Sequence, residues 1–261
     1  MLFACDIGNT NISLGLFDGE TMVFDSKISS SCEKSVDEYA ILISGVFAMY
    51  NIEMSLVDGA VISSVVRPLN TVMSHAVEKI MHVKPLLVGP GIKTGLNIKT
   101  DIPSQIGADI VANAVAATAL EKYPMVIVAL GTATTLTSIN PNGELYGVLI
   151  CPGVRSSLNA LSAQAADLPY VALDKPKALL GKNTIDSMVN GIVYGNAAMI
   201  DGLIERIAEE FSAEELTVIA TGGLADIIIP FCRCAAKIQY VPTLTLLGLN
   251  RIYRLNNRTK P

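Results

Sequence analysis

The chain has 261 residues, 51% of them hydrophobic and 16% charged. An average soluble domain is about 25% charged, so core material is abundant here and intrinsic disorder is excluded. Nineteen basic and 24 acidic side chains leave a net charge of −5, which argues against DNA or RNA as the main partner.

This length suits one or two domains, and the scarcity of charge points to surface buried against another subunit. No apolar run approaches the roughly 18 residues of a membrane-spanning helix, so no membrane partner is expected. Asp6 breaks the N-terminal apolar stretch before the core of a secretory leader could form. The five cysteines, Cys5, Cys32, Cys151, Cys232 and Cys234, are odd in number and scattered. They read as reduced thiols of a cytoplasmic protein. Cys232 and Cys234 lack the second pair a metal site would need. His75 and His82 stand seven apart on a helix-like segment, not at ligand spacing.

In chain order, apolar runs predict strands over 2–5, 12–17 and 21–26. A helix follows over 35–50, with Val36, Ala40, Ile43 and Phe47 at helical spacing. Next come a strand over 58–63, a helix over 68–82, a strand over 85–88 and a helix over 107–120. Strands over 125–129, 134–139 and 144–151 precede helices over 154–165 and 187–211. A strand over 216–220 and a helix over 246–255 complete the pattern. Strands alternating with helices predict an α/β fold.

The strand and turn at Phe3, Ala4, Cys5, Asp6, Ile7, Gly8, Asn9, Thr10 and Asn11 return as Ile127, Val128, Ala129, Leu130, Gly131, Thr132, Ala133, Thr134 and Thr135. Gly8 matches Gly131 and Asp6 matches Ala129, an offset of 123 residues. This predicts two similar domains that meet near residues 115–124.

Each turn has a use. Gly8 lets the backbone approach a phosphate. The amides of Asn9, Thr10 and Asn11 can face oxyanions, and Asp6 can hold a magnesium ion beside them. An ordinary β-hairpin would read the same way. Gly131 and Thr132 begin a second anion-binding turn, and two such hairpins could clamp a polyphosphate. Thr221, Gly222 and Gly223 carry a strand into a helix through flat backbone that would admit an adenine ring.

Together these segments resemble the acetate and sugar kinase, heat-shock and actin superfamily. The closer resemblance is to type III pantothenate kinase. It is carried by Asp6-Ile7-Gly8-Asn9-Thr10-Asn11, Ile62-Ser63-Ser64-Val65-Val66, Gly107-Ala108-Asp109, Gly131-Thr132-Ala133-Thr134-Thr135, Pro152-Gly153, Gly181-Lys182-Asn183-Thr184 and Thr221-Gly222-Gly223. The resemblance implies two duplicated ribonuclease H-like, actin-like ATPase domains, over 1–117 and 118–261. It also implies a cytoplasmic homodimer that phosphorylates pantothenate with ATP and Mg2+ in the first step of coenzyme A synthesis. Asp6, Ile7, Gly8, Asn9, Thr10, Asn11, Gly131, Thr132, Thr221, Gly222 and Gly223 would bind ATP, with Asp6 near the metal. Thr100, Gly107, Ala108, Asp109, Ile110 and Thr184 would bind pantothenate, with Asp109 as the general base.

Four positions depart from the family pattern. Ile110 stands where the family usually has arginine, Thr100 where it has tyrosine, and Val148 where it has the second glycine of a pair with Gly147. Ala129 replaces an aspartate that binds a monovalent cation (K+ or NH4+). The alternatives are a nucleotide-binding paralogue with weak or no pantothenate kinase activity, in a regulatory role like the Bvg accessory factor, or a kinase for another small hydroxyl acceptor.

Overall fold

The computed structural model describes residues 1–165 and 167–257. They form two compact units. The first takes Met1–Leu96, Asp101–Ala119 and the described residues from Thr243 on; the second takes Asn97–Thr100 and Leu120–Pro242.

The first unit is built on five strands: β1 (Leu2–Ile7), β2 (Asn11–Asp18), β3 (Thr21–Ser29), β4 (Gly59–Ser64) and β5 (Leu86–Leu87). Their order is β3-β2-β1-β4-β5. The first three strands form an antiparallel meander, and β4 and β5 add in parallel. Two helices, α1 (Val36–Met49) and α2 (Arg67–Met81), pack with Phe3, Cys5 and Ile7 of β1 in one core. Ser35 starts α1 through a capping box with Glu38, which satisfies two otherwise orphaned donors. The expected helix over 68–82 stops one residue short: His82, exposed, caps α2 in the left-handed conformation.

Two helices complete this unit, α3 (Ala108–Leu120) and, at the far end of the chain, a helix over Leu244–Asn256. The latter packs on β1, β2 and β4. Its Gly248 leaves no room for a Cβ, which would run into the Ala112 carbonyl of α3. Thr245 Oγ1 also donates to Asn113 Oδ1 at 2.8 Å. The compact units therefore do not follow the 117/118 boundary at the C-terminus. The apolar face of that last helix is buried by the first sheet, although its sequence lies in the second half of the chain.

The second unit carries β6 (Asn97–Ile98), β7 (Met125–Leu130), β8 (Ala133–Ile139), β9 (Glu144–Pro152), β10 (Thr217–Thr221) and β11 (Ile238–Tyr240). Their order is β11-β10-β7-β8-β9-β6. Without β6, order and strand directions repeat those of the first sheet. Helices α4 (Val154–Gln164), α5 (Thr184–Glu210) and α6 (Ala225–Ile228) cover the face that carries Val126, Val128 and Leu130; the C-terminal helix over Leu244–Asn256 is thus α7. The architecture is the expected α/β fold with two duplicated sheets. The two-residue β6 and three-residue β11 were not expected, because runs that short leave no period-2 signal. No helix of the described residues is long and apolar enough to cross a membrane.

Candidate active site

The duplication gives β1 and β7 the same solvent profile. In both strands every residue is buried except the fifth, Asp6 in β1 and Ala129 in β7. Period-2 alternation sets these two residues on the sheet face away from Phe3, Cys5 and Ile7 in β1, and away from Val126, Val128 and Leu130 in β7.

In the first unit, Asp6 is the C-terminal polar residue of β1. Ser63 of β4 is its Cα partner on one side and Ser13 of β2 on the other. Ser63 is fully buried, and its Oγ donates to Asp6 Oδ1 at 2.5 Å. Burial pushes the Asp6 carboxyl up to about 7; the Ser63 hydrogen bond opposes this, and the charge of Asp109 adds to it. A carboxylate so desolvated lacks a counter-charge, which a divalent cation would supply.

The turn after β1 is tight. The Gly8 N–H donates to the Asn11 carbonyl at 3.0 Å, and a Cβ on Gly8 would stand 3.0 Å from that same oxygen. Asn9, Thr10 and Asn11 are exposed at its tip and Ile7 is buried beneath it. The Ser30 N–H donates to the Thr10 carbonyl at 3.0 Å and ties β3 to the tip.

Asp109 lies in the first turn of α3. Burial raises its pKa, and the N–H groups of Ile110 and of Asp109 itself pull it back in part, as expected at a helix start. Its charge acts on Asp6, so the first unit brings the predicted base and the predicted metal ligand into electrostatic contact. Gly107 precedes the helix; a Cβ there would stand 2.5 Å from Asp109 Oδ1. Ala108 begins α3 and is partly buried. Ile110 is only 8% exposed and belongs to the continuous buried run that extends to Ala117. It serves the core, which an arginine at that position could not do without a partner.

In the second unit, Ala129 offers a methyl group where Asp6 offers a carboxylate. It is flanked by Thr221 of β10 and Thr135 of β8. Three backbone segments converge beyond it. The Gly131 N–H donates to the Ala133 carbonyl at 3.0 Å and closes the second turn. A Cβ on Gly222 would collide with the Leu130 main chain, and Gly222 has φ +98°. Tyr240 donates to the Gly222 carbonyl at 3.2 Å, and Gly223 follows, exposed. From below, a Cβ on Gly153 would run into the Thr132 carbonyl, which also accepts from Ser156 Oγ at 3.0 Å. Sequence reasoning passed over Ser156 and Tyr240: a serine in a helix and a tyrosine in a short strand carry no pattern of their own.

Other expected residues stand apart. Thr184 opens α5 after its cap Asn183 and lines an open pocket of about 600 Å3 with Asp167, Leu168, Pro169, Asn183 and Ile185. No residue of the Gly131 or Gly222 segments lines it. Thr100 is partly buried, and its Oγ1 is enclosed without a hydrogen-bond partner. Among the described residues no group of three or more His, Cys, Asp or Glu side chains could hold a metal ion. A divalent ion here would therefore rest on few protein ligands, as Mg2+ does when phosphates complete its shell.

The family model for type III pantothenate kinase matches residues 2–206. A type III pantothenate kinase from Halalkalibacterium halodurans is 43% identical over 256 residues, covering 98% of this chain and 100% of that one. Another, from Syntrophus aciditrophicus, is 42% identical over 257 residues with the same coverage. Among solved structures, the activator of 2-hydroxyisocaproyl-CoA dehydratase from Clostridium difficile, with bound ADPNP, superposes with a TM-score of 0.58 at 14% identity, covering 100% of this chain and 98% of that one. That likeness speaks for the fold alone, the duplicated α/β sheets described above. With a full-length match to its relatives and an acidic strand end beside a first-turn aspartate, the chain belongs to the type III pantothenate kinase family.

Proposed function

We propose that this kinase transfers the γ-phosphate of ATP to the primary hydroxyl of pantothenate, giving 4'-phosphopantothenate and ADP. The observation that carries the reading is the placement, within one unit, of Asp6 near the end of β1 with Ser63 Oγ donating to it and of Asp109 in the first turn of α3. Phosphoryl transfer asks the protein mainly for positioning and charge neutralisation, with a carboxylate to orient the nucleophile. Asp109 takes the hydroxyl proton as the pantothenate oxygen bonds to the γ-phosphorus and the bridging oxygen leaves with ADP. Its raised pKa makes it a stronger base than a solvated aspartate.

Asp6 fits a magnesium ion: it is a partly buried carboxylate with one oxygen held by the Ser63 hydroxyl. That ion would neutralise charge on the phosphate oxygens. In the first unit, the amides of the turn from Ile7 to Asn11 are assigned to phosphate, and Gly107, Ala108 and Ile110 to the acceptor beside Asp109. In the second unit, Gly131 with Thr132 is assigned to phosphate, Thr221, Gly222 and Gly223 to the base, and Thr100 and Thr184 to the acceptor. The position of Ala129 does not fit a monovalent cation. Its neighbours on the adjacent strands are neutral hydroxyls, so no step is assigned to K+ or NH4+.

We read residues 1–117 and 118–261 as the two covalent repeats and the protein as a cytoplasmic homodimer. Exposed Tyr170, Leu179 and Leu180 support association, and light scattering on the eluted peak tests it. The test of function is phosphopantothenate formation at saturating ATP and Mg2+, alongside a panel of other small hydroxyl acceptors followed by ADP release. Absence of phosphopantothenate with and without K+ would sink the reading. Turnover of another acceptor alone would reassign the substrate.

A further inference from the structure

We propose that Ser63 is a positioning residue for the metal-binding carboxylate, holding Asp6 Oδ1 so that the charge at the end of β1 faces the nucleotide's magnesium. The inference rests on the function proposed above. β4 buries Gly59, Ala60, Val61, Ile62 and Ser63, and Ala60, Val61 and Ile62 are apolar. A hydroxyl in that run costs free energy unless it is bonded, and its partner is the Asp6 carboxylate.

The placement is rigid. Ser63 and Asp6 are direct partners in the parallel pair, and Ser64 pairs with Ile7. Beyond them the Val65 N–H donates to the Ile7 carbonyl at 3.0 Å. The Ser64 hydroxyl accepts from the Val66 N–H at 3.0 Å. The segment after Ser63 is therefore pinned to the β1 end, and the serine cannot drift from the acid. A carboxylate with one oxygen so held keeps a single orientation, which is how partners behind a metal ligand raise its affinity.

The second unit shows what this arrangement is without the acid. Thr221 occupies the same register opposite Ala129 and has no carboxylate there to orient. Ser13 flanks Asp6 from β2 and provides an internal comparison for mere proximity.

The experiment uses the full chain with Mn2+ as probe and ADPNP as the non-hydrolysable nucleotide, free Mn2+ being read by electron paramagnetic resonance. Kinase activity is titrated with Mg2+ in parallel. Ser63→Ala is expected to weaken Mn2+ binding about 10- to 100-fold. The Mg2+ half-saturation moves in the same sense, and kcat at saturating Mg2+ recovers most of its value. Ser63→Thr, which keeps the hydroxyl, returns toward wild type, and Ser13→Ala leaves the Mn2+ titration unchanged. Ser63→Cys keeps the volume with a weak donor and must show the same direction of shift even if the alanine variant fails to fold. Wild-type Mn2+ affinity in Ser63→Ala or Ser63→Cys would overturn the positioning role while the kinase reading stands. A wild-type protein that neither binds Mn2+ with ADPNP nor makes phosphopantothenate would overturn both.

Discussion

Replacing Gly222 with alanine tests how the second turn is held. Two costs add. At φ +98° an L-residue pays about 1–2 kcal/mol for a left-handed backbone. The new Cβ would also overlap the Leu130 carbonyl, with the carbonyl carbon at 2.7 Å and the amide nitrogen at 2.8 Å. Both are main-chain atoms of a fully buried strand residue, so no side chain can swing aside. Relief requires the backbone to move, at roughly 1–3 kcal/mol for overpacking. The sum is about 2–5 kcal/mol, a large share of a stability of roughly 5–15 kcal/mol. At about 2–4 °C per kcal/mol for a domain of this size, Tm falls by roughly 4–20 °C.

Movement of Leu130 displaces Gly131 and Thr132, so the KM for ATP rises more than the KM for pantothenate. Differential scanning fluorimetry and steady-state kinetics in both substrates read these effects. A Gly222→Ala protein with wild-type Tm and wild-type KM for ATP would refute the close approach and the role assigned to it.

Four further perturbations follow from the same geometry. Asp109→Asn removes the proton acceptor with little change in shape; kcat should drop about 10²- to 10⁴-fold while calorimetry shows ADPNP still bound. For the intact enzyme, kcat/KM should decline on the acid side with an inflection above the ordinary aspartate value of about 3.9, because burial raises Asp109 and the base works only when ionised; an inflection at or below that value would exclude it. Asp6 is raised to about 7, so its contribution to the metal-free fold is fully present below the unfolded aspartate value and is lost as pH rises through 7. Asp6→Asn should therefore raise the Tm of the ligand-free protein at pH 8 while abolishing turnover, and a lowered Tm there would contradict the assignment. Finally, Ala129→Asp sets a carboxylate between Thr221 and Thr135, and its Tm should become K+-dependent where that of the wild type is not; an unchanged response to K+ would mean these hydroxyls do not shape a cation site.

Much of the fold is legible along the chain because strand and helix periodicities are local. The strand over 125–129 and the helix over 154–165 differ from β7 and α4 by one residue at one end. Short elements escape because two or three residues show no period: β6 and β11 exist only by pairing with β9 and β10. His82 illustrates a local ambiguity. A histidine at the end of an amphipathic run reads as one more helical residue until the chain reverses through its left-handed φ of 57°. Tertiary packing also overrode the simple halving of the chain, since α7 finds its apolar partner in the first sheet.

The site divides the same way. The Asp6 turn and the Gly131 turn stand out because the 123-residue repeat sets glycine with threonine or asparagine after a buried strand in both, although either turn alone reads equally as an ordinary hairpin; Gly222-Gly223 stands out as a glycine pair between a strand and a helix. Family resemblance, not pattern, singled out Asp109. From the sequence alone come the residue types at each strand end and the repeat that places them; the resemblance adds that Ile110 and Ala129 stand where the family usually carries charge. Tertiary structure alone decided that Ser63 meets Asp6 across 57 residues, that Asp109 raises the pKa of Asp6, and that Ile110 belongs to the core. The physical reason is that hydrogen-bond partners, desolvation and charge coupling depend on distances between segments remote in sequence, which no local pattern encodes.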